Sequence, residues 1–307
     1  MSLSRKWRWL IFALALYICL CAAGGIYLGD AALHPQHRPL SEAEAADFRQ
    51  AMGALQAGVE DLSITTPDSA VLGAWLVTPK YSNGNVVVLL HGLGDNRLGM
   101  TGYGQFLLAH GFTVLLPDAR MHGLSGGSVA TYGLLERNDI RQWVAAVRAK
   151  VEPHCVYGLG ESMGGAQLLQ SLESSGPFCA VVAESPFASF REIAYDRMGQ
   201  PFHLGPWVGR TVLRPLVEIA FLRARYKSRV NMEDVSPELS AAASKVPILL
   251  IHGEADSNIP VRHSLLIQSE SPRTVLWVVA GADHCGAYTA EPQEFETRVI
   301  GWFQAHR

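Results

Sequence analysis

One serine of the sequence lies among four glycines, between an apolar segment and a helix-like one. The stretch "VYGLGESMGG" occupies residues 156–165, and its centre fits the pattern G-x-S-x-G around Ser162. Glycine tolerates the sharp strand-to-helix turn that such a serine occupies, where bulkier neighbours would clash. A helix starting at this turn also favours negative charge near the hydroxyl. The pattern therefore predicts that Ser162 is a nucleophile.

A serine hydroxyl becomes nucleophilic when a histidine accepts its proton and a carboxylate orients that histidine. A polar loop follows each of the last two apolar segments, at residues 252–260 and 281–286. In strand-to-helix elbow hydrolases the chain order is serine, acid, histidine. We therefore predict Asp256 as the acid and His284 as the base.

Other side chains compete for these roles. Glu254 is an alternative acid, but it lies nearer the preceding strand than Asp256. We expect Asp283 to stabilise its own loop and His252 to support the acid loop. The remaining histidines considered are expected to be solvated or packed: His203, His263 and His306.

Attack on a carbonyl group creates an oxyanion, which needs two preorganised hydrogen-bond donors. The backbone N–H of Met163, directly after the nucleophile, is one candidate. The second is expected from the loop at residues 91–95, where Leu93 is our choice. His91 and Gly92 are also compatible with a simple tight turn.

The elements that must position these groups alternate between apolar and helix-like segments. Continuous apolar segments predict strands buried on both faces, as in a parallel sheet covered by helices, and hence an α/β doubly wound fold. The strand-like segments are 86–90, 112–116, 156–159, 180–183, 248–251 and 275–279, preceded by a pair at 59–66 and 71–77. The helix-like segments are 139–150, 164–174, 261–269 and 292–306. Some sixty residues separate positions 183 and 248, which predicts an inserted helical cap.

The N-terminus carries basic residues followed by an apolar stretch at 9–28, long enough to cross a membrane as a helix. Cys21-Ala22-Ala23 also offers a cleavage site for a signal peptidase. We favour an uncleaved anchor with a cytoplasmic N-terminus, because apolar residues continue past that site. In both interpretations the chain after Asp30 is exported. A short helix is expected next, with Ser41 and Glu44 forming a capping box.

Composition excludes some classes of function. The 307 residues are 49% hydrophobic and 17% charged, with a net charge of −3, so a nucleic-acid partner is not expected. No histidine pair has helical metal-ligand spacing, so neither a metal nor another cofactor is expected. Cys155 and Cys179 form either a disulfide or two small buried contacts, and Cys285 would be unpaired.

Five motifs in this order resemble α/β-hydrolase fold serine hydrolases: "LLHGLGDNR", "PDARMHGLSGG", "GLGESMGG", "HGEADSNIP" and "AGADHCGAY". The similarity covers residues 59–307 and is nearest to the Bem46-like and serine-aminopeptidase-like branch, which includes membrane-anchored lysophospholipid and acyl-protein hydrolases. It implies a mostly parallel eight-stranded sheet with a cap at about 187–245.

The resemblance also implies the site residues. The family's nucleophile, acid and base match Ser162, Asp256 and His284, and its oxyanion donors match Leu93 and Met163. This sequence departs from the family at 121–123, where Met-His-Gly replaces the common glycine after the loop at 118–120. The expected division is an anchor at 1–30, a linker with a short helix at 31–58, and the hydrolase domain at 59–307.

The substrate depends on the cap. Its residues 191–229 contain eight basic and three acidic side chains among apolar ones. Such a segment either lies on anionic lipid and admits acyl chains, or packs on its own core with a solvated face. We expect a small-molecule or lipid ester substrate. The alternatives are an aminopeptidase, with Glu161, Glu184 or Asp95 holding the substrate's amino group, and a non-catalytic binding protein.

Overall fold

The computed structural model describes residues 4–172 and 178–307. The described chain divides into two compact units. The sheet unit consists of the described residues within Pro35–Ser189 and Val235–Arg307. The helical unit consists of the described residues up to His34 together with Phe190–Asp234.

The sheet unit is built on eight strands. They are β1 (Gly58–Thr65), β2 (Val71–Thr78), β3 (Val86–Leu90), β4 (Thr113–Pro117), β5 (Val156–Glu161), β6 (Val181–Glu184), β7 (Ile248–Gly253) and β8 (Val275–Val279). The order in the sheet is β1-β2-β4-β3-β5-β6-β7-β8. β2 is antiparallel to β1 and β4, and the other neighbouring pairs are parallel. The expected eight-stranded, mostly parallel sheet is confirmed.

Helices flank the sheet and form the helical unit. In chain order they are α1 (Arg5–Leu33), α2 (Glu42–Ala54), α3 (Thr101–Ala109), α4 (Glu136–Val151), α5 (Ser162–Gln170), α6 (Phe190–Gly199), α7 (Trp207–Arg210), α8 (Arg214–Ser228), α9 (Pro237–Ala243), α10 (Arg262–Glu270), α11 (Ala287–Ala290) and α12 (Pro292–Ala305). The four predicted helices of the sheet unit match α4, α5, α10 and α12. α5 ends at Gln170, earlier than predicted, and the predicted residues 173–174 lie outside the described chain.

Alternation along the central strands divides the core between the two faces of the sheet. Val87 and Leu89 of β3 belong to one buried cluster, and Val88 and Leu90 belong to the other. β8 departs from the expected double burial: Val275 is 45% exposed. The physical reason is that β8 is an edge strand with a single neighbour.

The structure confirms the predicted capping box and selects the disulfide from the two alternatives for Cys155 and Cys179. Ser41 caps α2: its Oγ accepts a hydrogen bond from Glu44 N, and Glu44 Oε2 accepts one from Ser41 N at 3.0 Å. Cys155 and Cys179, directly before β5 and β6, form a disulfide with their Cα atoms 5.8 Å apart. By restricting the unfolded chain, such a crosslink contributes about 2–4 kcal/mol.

In the helical unit, α1 packs against α8 through two glycines one turn apart. A Cβ atom at Gly25 would lie 2.7 Å from the carbonyl oxygen of Leu216, and one at Gly29 would lie 2.6 Å from that of Ala220. This is the close backbone approach that a G-x-x-x-G pattern permits. Asp30 adds ion pairs at the end of the contact, 3.0 Å from Arg223 and 3.1 Å from Lys227. The helix continues past the predicted anchor boundary at residue 30 and ends at Leu33.

Within the described part of the chain, α1 is the one helix long and apolar enough to cross a membrane, and a signal sequence passes the same test. Its residues up to Leu20 are exposed, apart from the half-buried Tyr17. In its second half a buried residue recurs every fourth position, at Cys21, Gly25, Gly29 and Leu33. One face of α1 is therefore part of the core of the helical unit.

Carboxylates neutralise much of the basic segment noted in the sequence. Five of its basic side chains form ion pairs inside the helical unit. Two of the partner acids, Asp30 and Glu233, lie outside the segment 191–229 in which the charges were counted. The pairs are Arg191–Glu218, Arg191–Glu233, Arg210–Glu192, Arg214–Glu218, Arg223–Asp30 and Lys227–Asp30. These side chains therefore do not form an uncompensated cationic surface.

Candidate active site

Ser162 occupies a strained backbone position between β5 and α5. Its φ angle is +50°, in the left-handed region that non-glycine residues rarely adopt. The neighbouring glycines are required by close contacts: a Cβ at Gly164 would lie 2.2 Å from Leu90 O, and one at Gly160 would lie 2.6 Å from Gly164 O. The glycines around Ser162 thus allow the following helix to begin directly against the strands.

This strain predicts an effect on stability. Because Ser162→Gly and Ser162→Ala both remove the hydroxyl, their difference isolates the Cβ atom at positive φ. We expect the glycine variant to be more stable than the alanine variant by about 1 kcal/mol. Thermal or denaturant unfolding of the two purified proteins measures this. Ala46→Gly, inside α2, should instead lower stability by a similar amount, and equal stabilities of the two Ser162 variants would contradict the strain.

The structure brings Ser162, His284 and Asp256 into one chain of hydrogen bonds. Ser162 Oγ lies 2.9 Å from His284 Nε2, and His284 Nδ1 lies 2.8 Å from Asp256 Oδ2. The three residues follow β5, β8 and β7, whose carboxyl ends meet at one edge of the sheet. The acid and base loops also touch, because a Cβ at Gly253 would lie 2.3 Å from Ala282 O.

Asp256 is held as a buried carboxylate. Burial alone would raise its pKa, but hydrogen bonds from His252 and His284 and the charge of His284 hold the pKa well below the usual range. Its Oδ1 accepts from two backbone N–H groups, those of Asn258 at 3.0 Å and Ile259 at 2.8 Å. Asp256 is therefore ionised and fixed in orientation at neutral pH.

The neighbouring polar residues take the supporting positions expected for them. His252 Nε2 lies 2.8 Å from Ile259 O and 3.3 Å from Asp256 Oδ2, so it holds the acid loop. Asp283 Oδ1 accepts a hydrogen bond from Ser257 N at 3.1 Å. Glu254, the alternative acid, is exposed. His263 is buried, with its Nδ1 accepting from Ala188 N.

The loop predicted to supply an oxyanion donor lies beside the serine. A Cβ at Gly92 would be 3.6 Å from Ser162 Cβ. The N–H groups of Gly92 and Gly94 donate to Glu161 Oε1 and His122 Nε2. Among the described residues, the N–H of Leu93 has no hydrogen-bond partner in the protein. That N–H is thus available to a ligand.

Two buried histidines fix this loop, and sequence reasoning missed one of them. His91 Nδ1 donates to Gly92 O at 2.8 Å, and its Nε2 accepts from Ala119 N at 3.1 Å; burial lowers its pKa to about 4. His122 donates from Nδ1 to Arg120 O at 2.7 Å and accepts at Nε2 from Gly94 N. The one indication in the sequence was that residues 121–123 depart from the family pattern. That departure did not reveal that His122 holds the loop at 91–94 in position.

Two glutamates lie under the site. Glu184 is fully buried, accepting from Tyr103 Oη at 2.8 Å and from Ala287 N at 3.0 Å, and so supports the chain just after His284. Glu161 accepts from Gly92 N at 3.3 Å. Burial, followed by the charge of Glu184, raises the pKa of Glu161 to about 7.

The raised pKa of Glu161 predicts a pH-dependent stability. Between about pH 4.5 and 7 the folded protein keeps a proton that the unfolded chain has lost, so the free energy of unfolding falls as pH rises through this window. Glu161→Gln cannot lose this proton, so its free energy of unfolding should not fall in this way. Between pH 5 and 8 the difference in the free energy of unfolding between the variant and the native protein should shift by on the order of 2 kcal/mol in favour of the variant. Unfolding at several pH values measures the difference.

Glu254→Gln is the matched control for that measurement, because Glu254 is an exposed carboxylate of the same site region. It should leave the pH dependence of unfolding unchanged. Parallel stability curves for the native protein and Glu161→Gln would show that the Glu161 carboxyl titrates normally.

Cys285 lies next to the histidine. Its Sγ is 3.7 Å from His284 Nε2, and burial raises the pKa of the thiol well above its usual value. The group is therefore a neutral thiol at physiological pH. Its φ of +51° helps turn the chain after His284.

Comparison with known proteins fits this geometry. A family model described as "Alpha/beta hydrolase family" matches residues 87–298. The chain is 28% identical over 222 residues to the uncharacterised protein YqkD of Bacillus subtilis (strain 168), covering 70% of each. It is 26% identical over 239 residues to the uncharacterised protein YfhR of Escherichia coli (strain K12), covering 75% of each.

Among solved structures, the fold is similar to that of the esterase Pf2001 of Pyrococcus furiosus. The TM-score is 0.69 at 22% identity, over 89% of this chain and 99% of that one. Since the matching family model spans more than half of the sequence, the chain belongs to the alpha/beta hydrolase family.

Proposed function

We propose that this chain is a serine hydrolase that cleaves carboxylic ester or thioester bonds with Ser162, His284 and Asp256. The observation that carries the proposal is the continuous hydrogen-bond chain, with 2.9 Å from Ser162 Oγ to His284 Nε2 and 2.8 Å from His284 Nδ1 to Asp256 Oδ2. A buried carboxylate fixes the histidine tautomer that leaves Nε2 free to accept a proton.

In this mechanism Ser162 Oγ attacks the carbonyl carbon while His284 Nε2 takes its proton. The imidazolium then donates that proton to the leaving alkoxide or thiolate, and an acyl-enzyme remains. Water attacks the acyl-enzyme, with His284 accepting the water's proton and returning it to Ser162 Oγ as the acid departs. Asp256 stays ionised throughout.

The oxyanion formed in both steps would accept hydrogen bonds from the backbone N–H groups of Leu93 and Met163. The lack of a protein partner for the Leu93 N–H among the described residues supports this assignment. One such donor is worth about 2.7–4 kcal/mol of transition-state stabilisation. The histidines that hold residues 91–94 keep the donor in place before substrate arrives.

The test is labelling with a fluorophosphonate probe, which reacts with activated serines, followed by hydrolysis of acyl esters of graded length. The native protein should be labelled and Ser162→Ala should not. Absence of labelling of the native protein would remove the enzyme assignment and favour a binding protein of the same fold. If soluble short esters are cleaved well and long ones are ignored, the lipid substrate is wrong.

An aminopeptidase needs a carboxylate available to the substrate's ammonium group, and the three sequence candidates do not favour it. Glu184 is buried and has two donors of its own. Asp95 lies 3.6 Å from Arg38. Glu161 is bound to Gly92 N, and its raised pKa leaves it partly neutral at pH 7.

We further propose that α1 stays attached as a membrane anchor and is not removed as a signal peptide. Tyr17 Oη donates to Val212 O, and Cys21 is 4% exposed, so the helical unit uses residues before the cleavage site at 21–23. The intact mass of the protein purified from membranes tests this, because cleavage would remove more than twenty residues.

A further inference from the structure

The helical unit contains an apolar cavity of about 300 Å³ that the proposed reaction does not use. Its walls come from α1, α6 and α8, with Leu28 and Ala32 on the first, Ala194 and Met198 on the second, and Phe221 on the third. All of its lining residues belong to this unit. Each helix contributes small residues, such as Ala31, Ala194 and Ala220, beside larger apolar ones.

The chemistry of the walls decides what can occupy the cavity. Among the described lining residues, Arg197 is the one charged side chain, and it is exposed. Water needs two to four polar partners and is not stable in such surroundings, whereas apolar cavities bind hydrocarbons. The space is partly open, so its apolar walls would otherwise face water, and covering them with hydrocarbon is favourable. The occupant is therefore expected to be hydrocarbon.

The size of the cavity sets the length of that hydrocarbon. A cavity of about 150 Å³ holds benzene, with its six carbon atoms. The space in the helical unit is twice as large, so it matches about a dozen carbons. Lipids carry a hydrocarbon of this length as an unbranched acyl chain.

The source of the chain is indicated by α1. Four residues of α1 line the cavity, namely Leu28, Gly29, Ala31 and Ala32, while the first half of the same helix presents exposed apolar side chains such as Phe12 and Leu16. A helix with this surface resides in or at a lipid layer. A chain leaving that layer would meet the cavity along the same helix.

We infer that the space between α1, α6 and α8 is a binding site for a single linear acyl chain of about twelve carbons. The site does not depend on the proposed chemistry of Ser162. It makes the helical unit a lipid-responsive element, since chain binding would tie the anchor helix to the cap by filling the gap between them.

The experiment is equilibrium dialysis of radiolabelled n-alkanoates, from hexanoate to hexadecanoate, against the full-length protein in nanodiscs, with empty nanodiscs subtracted. One equivalent should bind. Affinity should rise about fourfold for each added methylene group, and it should level off near dodecanoate, where the cavity is full.

Two variants change the cavity in opposite directions. Ala194→Phe places a ring in the space and should weaken dodecanoate binding at least tenfold. Met198→Ala enlarges the space and should move the plateau to chains two or three carbons longer. Ala46→Phe, at an exposed alanine of α2, is the matched control. It should change neither the dodecanoate affinity nor the chain length at which affinity levels off. Met198→Ala keeps the test decisive if Ala194→Phe does not fold.

Three results would overturn the inference. They are no binding above that of empty nanodiscs, the same dodecanoate affinity in the native protein and Ala194→Phe, or an unchanged plateau in Met198→Ala. Loss of binding in Ser162→Ala would also overturn it, because the chain would then occupy the proposed active site. That last result would leave the esterase proposal intact, whereas loss of ester hydrolysis alone would leave the cavity site intact.

Discussion

Replacing Ser162 with alanine should lower kcat/KM for ester hydrolysis by about 10⁵- to 10⁶-fold. The substitution removes the atom proposed to form the acyl-enzyme but leaves the proposed oxyanion donors and the fold in place, so a small residual rate over water should persist. A chromogenic ester assay on the full-length protein measures the change. Ser269→Ala, at an exposed serine of α10, should retain native activity.

His284→Ala should cost about as much as Ser162→Ala, and the double variant should be no worse than either single one. The reason is that proton acceptance by His284 helps only when Ser162 Oγ is present to be deprotonated, so the two act as a unit. Additive losses, or retention of activity within tenfold in either single variant, would place the chemistry on other residues.

The sequence was informative where the determinants are local. The elbow around Ser162 depends on neighbouring glycines, and the strands on short apolar segments, so both could be read from consecutive residues. Asp256 and His284 follow predictable strands, and parallel strands bring their ends together. The chain contacts that assemble these three groups are therefore built into the order of the elements.

Long-range partners could not be read in this way. His122 reaches Gly94 across 28 positions of sequence, and Glu184 reaches Ala287 across 103. Nothing near either residue in the sequence identifies its partner, because both pairings depend on how separate loops pack. β8 likewise lies at the sheet edge because of the order of the strands. The apolar sequence of β8 alone does not indicate that order.

The cap charges show a related limit. Counting basic residues at 191–229 indicated a cationic segment, yet Asp30, from the other end of the helical unit's sequence, pairs with Arg223 and Lys227. The G-x-x-x-G spacing at Gly25 and Gly29 likewise does not identify the helix that packs against it. A charge count alone therefore does not show how much uncompensated positive charge the segment presents.

Asp256→Asn should lower kcat/KM by about 10⁴-fold at neutral pH without unfolding the site. The backbone N–H groups of Asn258 and Ile259 donate to Oδ1, so the amide oxygen of the new asparagine must take that position. In the native protein His284 Nδ1 lies 2.8 Å from the acceptor Oδ2. In the variant the NH₂ group of the asparagine takes the place of Oδ2 and faces Nδ1. A donor there forces Nδ1 to accept and moves the imidazole proton to Nε2, where it blocks proton transfer from Ser162.

The tautomer can be measured directly, which separates this explanation from a general loss of structure. In the native protein the ¹⁵N spectrum of His284 should show a protonated Nδ1, and in Asp256→Asn it should show a protonated Nε2. Glu254→Gln, at the alternative acid in the same loop, should keep the native tautomer and activity within about threefold, since exposed side chains outside the hydrogen-bond chain contribute little. If Glu254→Gln were the damaging variant and Asp256→Asn the neutral one, Glu254 would be the acid and the observed contact of Asp256 with His284 would be incidental to catalysis.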